Sequence, residues 1–182
     1  MSEILDFYNF LPNKNGVTID DIWYMSFEEL DKCHNFIQYL FPTQEISQFH
    51  PEAPLLTEKD ITEFKEDIVL RANLLFSFNL MLRFFGLNKV YHYNGDCKRV
   101  FVIEKADNYD ERKEIWQGEM NHNYLRITRI LTCLMLCGLE KEAKAFLDCL
   151  TNIMYEEEEM EGLDSYIYWF QAVHPVENFP EN

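Results

Sequence analysis

Between Met120 and Leu139 the chain carries no carboxylate, although Asp and Glu supply 32 of its 182 residues. That stretch, NHNYLRITRILTCLMLCG from Asn121 to Gly138, has the apolar spacing of the central helix of a compact helical domain. Ile127, Leu131 and Leu134 share one face of a helical wheel, with Tyr124 and Ile130 at its edges. Arg126 and Arg129 point away from that face, and Leu125, Met135 and Leu136 fill most of the rest. Two guanidinium groups on an otherwise apolar helix require partners. Either acids from a neighbouring helix pair with them, or they face a cleft and receive an anionic ligand or a partner's carboxylates.

A hydrophobic fraction of 47% with 15% aromatics is ample for one sizeable core and is not the composition of a disordered chain. A net charge of −16 opposes a broad electrostatic hold on nucleic acid or anionic lipid, so no direct nucleic-acid partner is expected. It leaves open a role as an acidic inhibitor of nucleic-acid-binding proteins. Five cysteines without a CxxC pair point to a reducing compartment. The start of the chain lacks the basic and apolar regions of a signal peptide, and no apolar run approaches ~18 residues. A cytoplasmic or otherwise intracellular protein without membrane insertion is the expectation, with export by a non-classical route still open.

The pattern predicts an all-α, multi-helix domain over residues 1–175, a small β-hairpin at 90–103 and a flexible tail at 176–182. A short helix is expected from Glu3 to Leu11, then a connector carrying Ile22 and Trp23 from Thr18 to Trp23. Ser26 and Glu29 form a capping box for a helix that runs to Leu40 with His34 on its inward side. Thr43 to Leu56 is a long loop with an isolated Phe49, a candidate rim for a binding site. Thr57 caps a helical pattern reaching Phe85, with a break near Asp67 and Gly86 as its left-handed stop. The second half of that pattern is apolar nearly all round and so belongs in the middle of the fold. An Asn94-Gly95 turn closes the hairpin, and Asn108 with Glu111 caps a helix ending near Trp116. Further helices follow at Glu140–Tyr155 and Leu163–Val173, separated by the Glu156–Glu159 run.

Eight of the sixteen basic residues fall between Lys98 and Lys141, which divides the charge of the chain. This favours anion or acidic-peptide contact near Arg112, Lys113, Arg126 and Arg129, or attraction within the molecule toward its acidic final third. Catalytic signatures are lacking. The histidines are scattered, no metal-ligand spacing occurs, no GxSxG or phosphate loop is present, and neither metal nor cofactor is expected. His122 is the one acid–base candidate, in an enzyme of unrecognised type using it and its polar neighbours. The polar concentration Asn121-His122-Asn123 either caps the central helix or, with Arg126 and Arg129, receives a carboxylate. The candidate binding residues are therefore Arg126, Arg129, Asn123 and His122, with Tyr39, Phe41 and Trp116 as aromatic walls.

FYNFLPNKNGVTIDDI at 7–22, HNFIQYLFP at 34–42, PLLTEKDITEF at 54–64, LMLRFFGL at 80–87 and HNYLRITRIL at 122–131 carry a family resemblance. NYDERKE from Asn108, GLE at 138–140 and DSYIYWFQAV near the end extend it over most of residues 6–174. The chain resembles the conserved N-terminal domain of the opioid growth factor receptor family. That resemblance implies a mostly helical domain and, from the vertebrate receptor, enkephalin-type peptide binding with a role in restraining growth. Residues and resemblance together favour a non-enzymatic binding domain for a peptide, protein or small anionic ligand.

Overall fold

In a computed structural model, residues 2–118, 121–157 and 163–175 are described, the side chains of 163 and 164 excepted. The protein is predominantly helical with one two-stranded antiparallel hairpin. The helices are α1 (Glu3–Tyr8), α2 (Ile19–Trp23), α3 (Phe27–Lys32), α4 (Ile37–Leu40), α5 (Glu58–Glu66) and α6 (Ile68–Phe84), then, after the hairpin, α7 (Tyr109–Trp116), α8 (Asn123–Leu136), α9 (Glu140–Glu156) and α10 (Leu163–Val173). Strands β1 (Leu87–Tyr93) and β2 (Arg99–Lys105) pair in a register that sets Tyr91 opposite Phe101.

Several helix starts are written locally. Thr18 with Asp21, Ser26 with Glu29 and Thr57 with Asp60 each form a capping box, so both end amides find an acceptor within four residues. Capping makes a true helix of Ile19–Trp23, which the sequence suggested was a connector. Asp67 does the same at the break between α5 and α6, its carboxylate accepting from the Val69 and Leu70 amides. Asn108 precedes α7 without a side-chain cap bond.

Helix ends differ more from expectation. The first helix stops at Tyr8 because Phe10 turns left-handed, at φ 65°. The Phe10 amide donates to the Phe7 carbonyl and the Leu11 amide to that of Asp6, which is a Schellman motif with phenylalanine where glycine usually sits. The segment expected to run from Ser26 to Leu40 breaks at Cys33, whose backbone is extended, and His34 is exposed instead of inward. At the hairpin tip, Asn94 accepts from the Asp96 and Lys98 amides through its side chain. Cys97 there, not Gly95, adopts the left-handed conformation, at φ 56°. The tail at 176–182 and residues 158 and 159 of the acidic run lie outside the described residues.

The core gathers Phe7 and Tyr8 of α1, Leu74 and Phe78 of α6, Ile127, Leu131 and Leu134 of α8, and Phe146 of α9, all essentially inaccessible. Helix α8 lies against α9 and α10, and the hairpin rests on α6 and α9. Helix α6 is not enclosed, contrary to its nearly all-round apolar sequence. Ile68, Val69, Ala72, Phe76, Asn79 and Arg83 form an uncovered stripe along it.

Gly86 ends α6 at φ +74°, where a Cβ would lie 2.8 Å from the Arg112 Cβ and 2.9 Å from the Tyr109 Cα. Gly16 has nearly the same φ, +77°, and open space around it. Gly16→Ala should therefore cost about 1 kcal/mol of unfolding free energy from backbone strain alone, and Gly86→Ala about 3 kcal/mol because α7 must also shift. Urea unfolding of the two variants checks the difference. Equal losses would mean that the α6–α7 contact yields freely.

Candidate functional site

The polar cluster foreseen around α8 exists, and its donors are turned inward. Arg126 is 4% exposed. Its Nη2 donates to the carbonyls of Cys33, at 2.8 Å, and Asp31, at 3.2 Å, while Nη1 donates to Asn123 Oδ1 at 3.0 Å. Arg129 Nε donates to the Phe41 carbonyl at 2.8 Å. Apart from Asn123 Oδ1, these acceptors are main-chain oxygens at the ends of α3 and α4, the groups that a helix C-terminus leaves unpaired. Among the described residues no carboxylate forms an ion pair with either arginine, and Arg129, half-buried, is held through its Nε. Burial pushes both guanidinium groups below their ordinary pKa, partly offset by the Asp31 carboxylate near Arg126 and by Glu45 near Arg129.

The remaining members sit where α8 begins. Asn121 accepts from the Asn123 amide at 2.9 Å and donates to the Ile115 carbonyl at 2.9 Å, tying the start of α8 to the end of α7. Asn123 is fully buried and donates to that same carbonyl and to Asp31 Oδ1. His122 Nε2 lies 3.5 Å from Asp31 Oδ1, and the rings of His122 and His34 meet edge to face at 5.2 Å. Desolvation and then the Arg126 charge push the His122 pKa down against the pull of Asp31, so the imidazole is held neutral. Sequence reasoning missed Asp31 and His34, which local periodicity could not bring to His122 across some ninety residues of chain.

Tyr39, Phe41 and Trp116, expected as aromatic walls, lie in the core at 1%, 0% and 0% exposure. The Tyr39 hydroxyl donates to Glu3 Oε1 at 3.1 Å and Trp116 Nε1 to the Phe85 carbonyl at 3.0 Å. The Thr43–Leu56 loop is closed by the Leu56 amide donating to the Thr43 carbonyl, and it exposes Ile46 and Phe49. Among the described residues no group of three or more His, Cys, Asp or Glu could hold a metal ion. Cys133 and Cys149 have pKa values raised by burial, which removes them as thiolate nucleophiles. The first carboxylates of the acidic run are engaged within the molecule, since Lys105 Nζ reaches Glu156 at 2.9 Å and Glu157 at 3.1 Å.

A second feature was not singled out in the sequence. Phe10, Trp23 and Phe76 form a half-exposed aromatic row, with ring centroids 5.7 Å apart in the first pair and 4.4 Å in the second. Trp23 is fixed by donating to Ser77 Oγ at 2.9 Å, and Asn73 holds the end of α1 by donating to the Tyr8 carbonyl at 2.9 Å. Leu11 and Tyr24, the chain neighbours of Phe10 and Trp23, are 49% and 87% exposed, and Ile68 and Val69 at the start of α6 are 81% and 51% exposed. The clue available in the sequence was the amount of apolar surface on Ile68–Phe84, more than one buried face requires.

The family model described as "Opioid growth factor receptor (OGFr) conserved region" matches residues 3–173. Opioid growth factor receptor-like protein 1 of Mus musculus is 35% identical over 144 residues, covering 77% of this chain and 29% of that protein. The protein of that name in Xenopus tropicalis is 37% identical over 141 residues, with 75% and 26% coverage. The opioid growth factor receptor of Homo sapiens is 34% identical over 145 residues, with 75% and 20% coverage. The match thus spans less than a third of each of these relatives. No solved structure matches the chain.

If Arg126 and Arg129 are framework groups, Arg126→Met should cost about 3 kcal/mol and Arg129→Met about 2 kcal/mol, because buried carbonyls lose their donors. Chemical denaturation checks this, and losses under about 0.5 kcal/mol would return both side chains to a ligand role. The lowered His122 pKa favours the neutral ring in the fold, so its contribution is fully present above about pH 6.5 and is lost as pH falls through the folded value. His122→Gln should flatten the fall in stability below about pH 6.5. An unchanged slope in pH-dependent unfolding would remove His122 as its source.

Proposed function

As the chain belongs to the opioid growth factor receptor conserved-region family, we propose that it acts as a non-enzymatic protein-interaction domain. The observation that carries this reading is the Phe10–Trp23–Phe76 row with its exposed aliphatic margin. A contiguous apolar patch on a folded body stays in water at a cost, and its usual physical use is to be covered by another chain. The relatives' names are opioid growth factor receptor and opioid growth factor receptor-like protein 1, and a peptide-binding role is compatible with this one.

The polar cluster supports the same direction. Arg126, Arg129 and Asn123 direct their donors to carbonyls of α3, α4 and α7 and in that way hold the 31–41 segment in place. An anionic ligand there would compete with bonds the fold itself uses, so the cluster is better suited to positioning than to binding. His122 has an acid neighbour in Asp31, yet no activated nucleophile accompanies them among the described residues. No described helix is long and apolar enough to cross a membrane.

Phe76→Glu puts a charge on the row at a position 48% exposed, which leaves the core untouched. Affinity capture from the host cell, quantified against wild type, should lose at least one abundant partner by about tenfold, with a melting temperature within a few degrees of wild type. Identical capture profiles from an equally stable variant would refute an interaction role for this surface.

A further inference from the structure

The chemistry of the segment that covers this surface can be read from the charge around it. From Ile68 to Gly95 the chain has no Asp or Glu, in a protein of net charge −16. Arg71 and Arg83 both lie in that span, on α6, and neither makes an ion pair with any described residue. Lys89, also in the span, is already bound to Glu142 at 2.9 Å. The acids at the other end of the surface are largely committed. Asp67 caps α6, and Asp21 accepts from the Thr18 amide and hydroxyl.

The apolar and cationic features lie along one line. Val69, Ala72, Phe76, Asn79 and Arg83 repeat at three- and four-residue intervals and are all exposed. From Val69 to Arg83 the stripe runs about 21 Å, the length of a four-turn helix. Its far end opens into a hollow of ≈ 260 Å³ between α6 and β1, bordered by Asn79, Arg83, Asn88 and Tyr91 and floored by Leu82 and Leu87. That hollow offers a guanidinium and two amides over an apolar base, a fitting receptor for a carboxylate.

Phe10 adds an independent pointer. A phenylalanine at a left-handed helix stop is strained where glycine would not be, and its ring lies against Trp23 with 46% of the residue still in solvent. Phe10 is not among the buried core residues.

We infer that the uncovered face of α6 docks an acidic amphipathic helix of a partner protein. Its bulky apolar residues lie over Phe76 and the Phe10–Trp23 pair, and its carboxylates meet Arg83 and Arg71. This rests on the interaction reading above and specifies the occupant. Repulsion of an acidic partner by a chain of net charge −16 is offset locally by Arg71 and Arg83, away from the Asp67 and Asp21 end of the surface. The geometry is that of a helix laid in a groove, with anchors at successive turns.

The test uses three fluorescein-labelled helical peptides of about four turns that share one Leu/Phe face. Their polar faces are Glu-rich, Gln-rich or Lys-rich, and binding to the whole chain is read by anisotropy at low and high salt. The Glu-rich peptide should bind most tightly, weaken with salt, and lose about tenfold in affinity with Arg83→Glu and again with Phe76→Ala. Arg71→Glu is the second charge variant, and circular dichroism establishes that each is folded. Phe10→Gly should weaken binding while keeping or raising the melting temperature. Equal or tighter binding of the Gln-rich or Lys-rich peptide would overturn the acidic partner and leave the interaction reading standing. Glu-rich binding indifferent to both arginine reversals, or absent, would also overturn it. A dimer in sedimentation equilibrium that Phe76→Ala dissociates would overturn it in favour of a second copy. The interaction reading itself falls only with the Phe76→Glu capture comparison.

Discussion

The fold depends on how its helices end. The ten helices of the described residues, several of them one or two turns long, leave many C-terminal carbonyls without an intrahelical partner, and burying them unpaired would be prohibitive. Long donors from distant parts of the chain solve this. Tyr8 donates to the carbonyl of Leu40, Asn73 to that of Tyr8, Arg112 to that of Phe84, Trp116 to that of Phe85, Arg126 to that of Cys33 and Arg129 to that of Phe41. Each bond joins two elements and completes a helix terminus at once. The abundance of aromatics with polar tips follows from the same need, because Trp and Tyr fill the core and still present a donor.

Seen this way, the carboxylate-free central helix has a physical reason. A carboxylate on α8 would pair with Arg126 or Arg129 and withdraw it from the carbonyls of α3 and α4. Main-chain oxygens carry only partial charge, so the desolvation of the Arg126 guanidinium is met by several hydrogen bonds, and that of Arg129 by its bond to the Phe41 carbonyl. The surplus of acid is handled elsewhere, through Lys89 with Glu142 and Lys105 with Glu156 and Glu157, which fasten the hairpin to α9. The charge division along the chain therefore includes attraction within the molecule.

In the proposed reading, function lies on the uncovered face of α6 and the polar cluster positions the 31–41 segment. The face carries what remains unmatched among the described residues, namely aromatic rings in water, two arginines without an ion pair, and a phenylalanine in a left-handed turn. Membership of a family whose named vertebrate members are much longer proteins agrees with a module that works by contact with other chains.

The sequence by itself determined the helical class, the capping box at Ser26, the cap at Thr57, the break at Asp67, the stop at Gly86, the hairpin and the final helices, because caps, glycine turns and periodicity act within a few residues. It also marked Arg126 and Arg129 as residues in need of partners. Only the tertiary structure decided which partners those were, since Cys33 and Phe41 lie nearly ninety residues away and a carbonyl leaves no signature in a side-chain pattern. The same limit hid the contact of His122 with Asp31 and placed Tyr39, Phe41 and Trp116 in the core and not on a wall. It also decided which side of α6 stayed bare, because a helix apolar all round gives no direction to its own burial.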